Sequence, residues 1–407
     1  MNSLNIHILF SYAAGNPNRD DAGSPKAISY GGAIRSRISS QAMTRPKRIQ
    51  FEAKTDGEKT HRSILVGNEI ARLAEAILTK QGTLVDEKLQ ATLFKGATKS
   101  ALSLVMDPEK AGKKADTLLL GSKKEAGTEE GSKKDSAADE AEAGNTLVWL
   151  AESEINEAAL KLASKYDETT DPSAYVHPQR TRSLSIAAFG RMFAQRPDLQ
   201  NEAAIQRSHA FTTHESEVEV DYFTAVDDMR ISDRGAGHIG ITMLTGGVYY
   251  WHCNVDSEQL FTTWSAANEE GARDRLIALF VALFEALPTG KQNTTGYQGL
   301  PSIVLAVPAH SAVSLQTAFE TAITSKDDGY LQPSVKALLE EHHVVQQAKP
   351  SHFGHAAISL AATASKKALD ETNFDHTLIT TMNLEDLAGW CADQLLAERP
   401  ADSNQAS

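Results

Sequence analysis

The chain has 407 residues, 41% of them hydrophobic, with 40 Lys/Arg against 53 Asp/Glu and a net charge of −13. That length predicts two or three substructures rather than one small core, and the acidity excludes an indiscriminate polyanion binder, so a nucleic-acid site would have to be a focused groove. No apolar run exceeds Leu276–Phe284, no signal-peptide pattern opens the chain, and the two cysteines, Cys253 and Cys391, make neither a disulfide framework nor a metal site, so a cytoplasmic, reducing location is expected.

Leu4, Ile6, Ile8 and Phe10 alternate with polar Asn5 and His7, which predicts a half-buried first strand. A loop through Asn16-Pro17-Asn18 and a turn at Gly31-Gly32 follow. Ser39 or Ser40 can cap a short helix carrying Gln41, Arg45 and Arg48 on one face, with Pro46 predicting a kink or a restart capped by Thr44. Apolar spacing predicts helices over 60–106 and again from Leu147 to Leu162. Between them, 121–144 holds only Gly, Ala, Ser, Thr, Lys, Asp and Glu, which predicts a mobile insertion. Val218 and Val220 begin a strand leading into Tyr222-Phe223. Ile239–Leu244, Gly246-Gly247 and Val248–Val255 read as strand, turn and strand. A helix over Arg273–Leu287, a buried strand over Ser302–Val307, and helices around Val313–Ile323 and Val335–Val345 complete the pattern. The order predicts an α+β fold with a large insertion, suited to a split βαββαβ sheet.

Charge is distributed unevenly. The first fifty residues hold seven Lys/Arg and two Asp, a local excess of +5 that leaves the remainder at −18. Cations beside a Ser-Ser cap and a Gly-Gly turn suit an anion site, because helix-start N–H groups with Ser39, Gln41, Arg45 and Arg48 offer several donors to one phosphate track. Adjacent aromatics such as Tyr222-Phe223 suit stacking on unpaired bases. Gly235-Ala-Gly-His-Ile-Gly240 matches G-x-G-x-x-G, but a strand-like segment follows where a nucleotide fingerprint needs a helix, so hairpin glycines are the better reading. Asp20, Asp21, His214, Asp227, Asp228 and His238 have no metal-ligand spacing and read as caps and ion pairs. His342, His343, His352 and His355 read as surface residues.

Asn18-Arg-Asp-Asp21, Gly31-Gly32, Arg37-Ile-Ser-Ser-Gln41 and Arg45 resemble the opening of the CasC family, the backbone subunit of the type I-E CRISPR surveillance complex Cascade. The likeness continues at Gly190-Arg-Met192, Thr212-Thr-His214, Asp221–Asp228, Ala236–Gly240, Gly246–Tyr250 and Leu331–Ser334. It is colinear from about residue 4 to 345 and breaks in the helical insertion.

The resemblance implies a hand-shaped subunit with an RRM-like (ferredoxin-like) palm, a large helical insertion as fingers and a β-hairpin thumb. The expected divisions are 1–58 and 246–407 for the palm and C-terminal helices, 59–185 for the fingers, and 186–245 for the thumb and return strand. Copies of such a subunit polymerise along CRISPR guide RNA with other Cascade subunits, kinking the RNA and presenting its bases to target DNA. By the same resemblance Lys26, Arg35, Arg37, Ser39, Gln41, Arg45, Arg48 and Lys291 hold guide-RNA phosphates, and Met192, Tyr222, Phe223 and Thr224 sit at the kinks. Lys161 and Lys165 lie on the stretch that resembles the family's DNA-facing helix. Thr44 stands where a lysine is common and Tyr222 where a Trp is common. The expected protein is non-catalytic, with no cofactor, metal or membrane. The rival readings are a metal-dependent endoribonuclease using Asp20, Asp21 and nearby His, and an interaction scaffold whose basic patch binds an acidic partner.

Overall fold

A computed structural model describes residues 1–56, 58–125, 147–165, 170–226, 236–297, 299–325, 329–372 and 376–399. It divides into two units, Met1–Lys54 with Ile205–Glu258 and the chain from Glu270, and Thr55–Ala204 with Gln259–Glu269. In chain order the strands are β1 Ser3–Gly15, β2 Ala27–Tyr30, β3 Ala33–Ile38, β4 Thr60–Ser63, β5 Val148–Ala151 and β6 Ile205–Arg207. They continue with β7 Ala210–Thr212, β8 Glu219–Val226, β9 Ala236–Asp256, β10 Ile303–Ala309, β11 Ala356–Leu360 and β12 Ile379–Thr381.

The first unit is built on one sheet ordered β12-β11-β10-β1-β9-β7-β3-β2, with β6 and β8 also pairing with β9. Strand β1 lies between β10 and β9, antiparallel to both. Its residues Ser3–Phe10 are all buried, so the expected half-buried strand is instead covered on both faces. One face carries Ile6, Ile8 and Phe10, with Trp251 and Cys253 of β9 at the same level by register. The opposite face carries Leu9 with Tyr250, Ile303, Leu305 and Phe319 against Val335, Leu338 and Leu339 of the helix Leu331–Ala348. Asn5 and His7 also point into this second face. They are tolerated because they are hydrogen-bonded: Asn5 Oδ1 accepts from the Val313 N–H, and His7 Nδ1 lies 3.0 Å from the Tyr250 hydroxyl.

Gly246 and Gly247 make no turn, and β9 passes through them as one 21-residue strand. The glycines serve close approach, since a Cβ at 246 would lie 2.0 Å from the Ala13 carbonyl and one at 247 2.3 Å from His214 Nε2. Gly31-Gly32 does form the expected turn, joining β2 to β3 with φ of +58° and +78°. Around Val313–Ile323 the expected helix shrinks to one short 3₁₀ turn, Gln316–Phe319. Tertiary partners take its backbone donors: Leu315 N–H reaches the Tyr250 hydroxyl and Ile323 N–H the Thr213 carbonyl.

The helix after β3, α1, runs Ser40–Lys54 without a break at Pro46. No restart occurs at Thr44, whose hydroxyl donates to the Ser40 carbonyl. Met43, Lys47 and Phe51, at i, i+4 and i+8, are buried, so packing of this face outweighs the ladder bond lost at proline.

The second unit holds α2 Val66–Lys80, α3 Glu87–Leu102, α4 Pro108–Glu125 and the helices Glu152–Ser164 and Leu184–Phe189. Ile70, Leu78, Leu93, Leu102, Ile155 and Leu162 form its core. Two stretches read as helical are strands, β4 and β5, paired antiparallel with Val148 and Leu150 buried. This unit extends past the expected boundary at 185 to Ala204, because Ala204 N–H bonds the Ala187 carbonyl and Arg191 pairs with Asn201. It also takes in 259–269, where Thr181 N–H reaches the Thr263 carbonyl and Trp264 Nε1 the Arg182 carbonyl. Of the anticipated insertion at 121–144, residues 121–125 belong to α4, and 126–146 lie outside the described residues.

Candidate nucleic-acid interface

Six of the seven cations of the first fifty residues divide by what their surroundings have done with them, and the seventh, Arg19, is exposed. Arg35 is fully buried, with Nη1 on the Thr212 carbonyl and Nη2 on the Phe319 carbonyl at 3.0 and 3.1 Å. Lys47 is buried too. Its Nζ donates to the Leu283 and Ala286 carbonyls at 2.7 and 2.9 Å and sits 4.4 Å from the Trp251 ring centroid. Desolvation pushes its pKa down to about 7. Arg48 is half-buried and pairs with Glu52 through two contacts of 3.1 and 2.9 Å. Arg35 and Arg48, expected at phosphates, are therefore engaged within the fold. A buried guanidinium leaves no face for a ligand, and one ion-paired at i, i+4 is largely neutralised.

Lys26 and Arg37 are arranged differently. The Arg37 N–H bonds the Lys26 carbonyl at 2.7 Å, one step beyond the Ala27↔Ser36 pair, so the two residues face each other across β2 and β3. Both are half-buried, and neither has an acidic partner among the described residues. Like charges directly opposite one another destabilise a sheet unless an anion lies between or above them.

Next to this pair is the start of α1. Ser39 Oγ accepts from the Ala42 N–H at 3.2 Å and its backbone carbonyl accepts from the Met43 N–H, so Ser39 is the cap rather than a free phosphate donor. The Ser40 N–H is taken by His209 Nδ1 at 3.2 Å. That leaves the Gln41 N–H without a partner among the described residues, on an exposed residue, with exposed Arg45 one turn on. Asn18 braces the arrangement: Oδ1 accepts from the Ser39 N–H and its carbonyl from the Lys26 N–H. His209, which touches both Arg37 and the helix start, escaped the sequence reading because nothing local marks it. Asn18 belongs to the Asn18-Arg-Asp-Asp21 motif, but nothing in that motif marks it as a brace for the helix start.

The hairpin of β8 with the outer half of β9 is a second feature of the same unit. Tyr222 pairs with Ile241 and Val220 with Met243, which sets these four on one face. Tyr222 is 68% exposed and Ile241 59%. On the other face Phe223 lies across Gly240, where a Cβ would approach the ring to 2.2 Å. Thr224 is exposed beyond it. Lys291 Nζ donates to Thr242 Oγ1 at 2.9 Å and so braces the hairpin. Residues 227–235, including Asp227 and Asp228, lie outside the described residues.

Within the second unit Met192 is 82% exposed while Arg191 and Phe193 on either side are buried. Arg191 is held by Glu154 and Asn201 at 2.8 and 2.9 Å. Lys161 is exposed on the helix Glu152–Ser164, but Lys165 falls just past its end at φ −145°, so the two do not share a helix face.

Asp20 Oδ1 accepts from the Ala22 and Ser24 N–H groups, the turn-capping role expected of it. His214 is buried. Its Nε2 accepts from the Val248 N–H, and its ring stacks on Tyr330. His342 and His352, expected at the surface, are buried as well. Among the described residues no three His, Cys, Asp or Glu could share a metal ion, and no helix is long and apolar enough to cross a membrane.

Residues 4–390 match the family model described as CT1975-like protein. The chain belongs to that family. This agrees with the CasC-like motifs of its opening segment. A chain of a "CRISPR RNA-guided surveillance complex, pre-nicking" is similar to this CT1975-like protein at 26% identity and a TM-score of 0.70, covering 98% of this chain and 100% of its own. A chain of another "CRISPR RNA-guided surveillance complex", 21% identical with a TM-score of 0.56, covers 97% and 99% and shows the likeness of fold alone. No curated protein sequence matches.

Proposed function

We propose that this CT1975-like protein is a non-catalytic, guide-RNA-binding backbone subunit of a CRISPR surveillance complex, acting in antiviral defence in the cytoplasm. The observation that carries the reading is the unneutralised Lys26–Arg37 pair beside the open Gln41 N–H, with Arg45 continuing the track. Its geometry suits a phosphate, and phosphate contacts position a strand without reading its sequence.

The sheet supports the same assignment. Its order β10-β1-β9 with all neighbours antiparallel, and with α1 and the helix Ala272–Glu285 both lying over the Trp251 face, follows the split βαββαβ of an RRM-like palm. The opposite face, on which RRM domains stack bases, is filled by the helix Leu331–Ala348. RNA is accordingly directed to the sheet's rim, where β2, β3 and the start of α1 meet. The hairpin, exposing Val220, Tyr222 and Ile241, serves as the thumb that closes over RNA on a neighbouring copy. Other complex subunits and target DNA are the remaining partners, with Lys161 facing the DNA.

Purified protein mixed with labelled RNA, with Mg²⁺ or with chelator, tests this directly. A mobility shift without cleavage is expected under both conditions. Chelator-sensitive cleavage would overturn the non-catalytic reading in favour of a nuclease.

A further inference from the structure

We propose that His209 is a positioning residue for the RNA site, its Nδ1 lone pair fixing both Arg37 and the first turn of α1 against the phosphate track. The inference rests on the cradle assigned above and names the part that sets its geometry. Arg37 Nη1 and the Ser40 backbone N–H each lie 3.2 Å from His209 Nδ1. A backbone N–H only donates, so Nδ1 must be unprotonated and the ring proton sits on Nε2. Partial burial and the adjacent Arg37 and Lys26 hold the ring's pKa below its usual value, which keeps that lone pair free.

Two consequences follow for the site. Arg37, facing Lys26 across the hairpin, would otherwise swing away from the like charge; His209 supplies the acceptor that holds it in place. With Ser40 N–H occupied and Ala42 and Met43 N–H satisfied by Ser39, the open donor of the helix start is confined to Gln41. His209 thus decides where along the track a phosphate oxygen finds a backbone donor.

The test compares His209→Leu, His209→Gln and His209→Asn in binding a labelled single-stranded RNA across a salt series, beside Arg37→Gln. Asparagine Oδ1 is bonded to Cγ as Nδ1 is, so it can accept the same two donors; glutamine places its oxygen one atom further out. Leu and Gln should weaken binding by about three- to tenfold, the size of one lost acceptor. Asn should restore most of it, and Leu and Gln should lower the salt slope by no more than Arg37→Gln does, because the neutral ring releases no counterion itself and acts only through the placing of Arg37. Arg37→Gln should weaken binding and lower the slope by about one. Undisturbed binding in Arg37→Gln overturns the cradle and this inference with it. Weakened Arg37→Gln beside undisturbed His209→Leu overturns the inference alone. So does an Asn variant as weak as Leu, since that makes the ring itself an RNA contact.

Discussion

Replacing Lys47 by Met separates a cation of the fold from a cation of the interface. The Lys47 ammonium is buried among Trp251 and the Leu283 and Ala286 carbonyls, and its pKa falls to about 7. In the unfolded chain it returns to about 10.4. Below pH 7 both states hold the proton and the full desolvation cost sits in the folded state. Between these values only the unfolded state holds it, so stability rises with pH, approaching about 1.4 kcal/mol per unit. Integrated from pH 7 to pH 9, the contribution is about 2 kcal/mol. Lys47→Met removes the titrating group and should remove this gain. Urea denaturation of both proteins at the two pH values, followed by circular dichroism, reads the difference of differences. The buried thiols Cys253, pushed up to about 12, and Cys391 pull the opposite way in this window, but equally in both proteins. RNA affinity should be unchanged, since a side chain 1% exposed cannot reach a phosphate. Equal pH dependence in the two proteins would refute the buried-charge argument, and a fall in RNA affinity would refute the sorting of cations.

Arg45→Glu should weaken RNA binding and flatten its salt dependence by about one to two units, whereas Arg48→Glu should lower the melting temperature by opposing Glu52 and change RNA affinity less. Replacing Tyr222 and Phe223 by Ala should remove about 1–3 kcal/mol per stacked base, with a larger loss on long RNA that seats several copies than on an oligonucleotide filling one site. Equal loss on both would place the aromatics in a single-subunit site. Acid should destabilise the first unit as pH falls through 6.5 towards 4, because His252 and His342 are pushed down to about 4 by burial and stay neutral while the unfolded chain takes up protons. At pH 5 this amounts to about 2 kcal/mol per histidine, and His342→Leu, a change at a ring with no hydrogen-bond partner among the described residues, should make the acid limb of a pH–stability curve shallower.

The sequence was most legible where one local pattern decided the outcome. Gly31-Gly32 could only be a tight turn, the apolar spacing of Arg273–Leu287 and Val335–Val345 gave helices, and Val218 onward led into the hairpin strand. It was least legible where distant partners decided. Asn5 and His7 read as solvent-facing because polarity signals exposure, yet Val313, Tyr250 and His252 supply their hydrogen bonds and contacts from far along the chain. Gly246-Gly247 imitated a turn because the close approach of Ala13 and His214 leaves no local trace. Charge counting treated the early cations as one patch, although buried backbone carbonyls neutralise an ammonium's hydrogen-bonding needs as well as an acidic side chain would, and they have no signature in sequence.

That redistribution of charge sharpens the functional argument. A patch of seven cations on an acidic protein would attract any polyanion, with little to fix its path. Withdrawing Arg35 and Lys47 into the interior and pairing Arg48 with Glu52 leaves exposed Arg19 together with Lys26, Arg37 and Arg45, the last three close in the chain and fold to the open backbone donor at Gln41. The buried cations still support the proposed track. Arg35 ties β3 to the Thr212 and Phe319 carbonyls, and Lys47 ties α1 to the end of the helix Ala272–Glu285, so the two elements that carry the exposed donors are held from beneath. A rigid row of few donors suits the proposed role, in which every copy is seated at the same interval along an RNA whose sequence varies. Rigidity also predicts how damage would appear: loosening the supports at Arg35 should broaden the spacing of copies along RNA, while removing Arg37 or Arg45 should weaken each contact and leave the spacing intact. Nuclease footprints of the assembled protein on a long RNA would distinguish the two, and an unaltered footprint period in a folded Arg35→Lys variant would show that the interval is set elsewhere, in the hairpin.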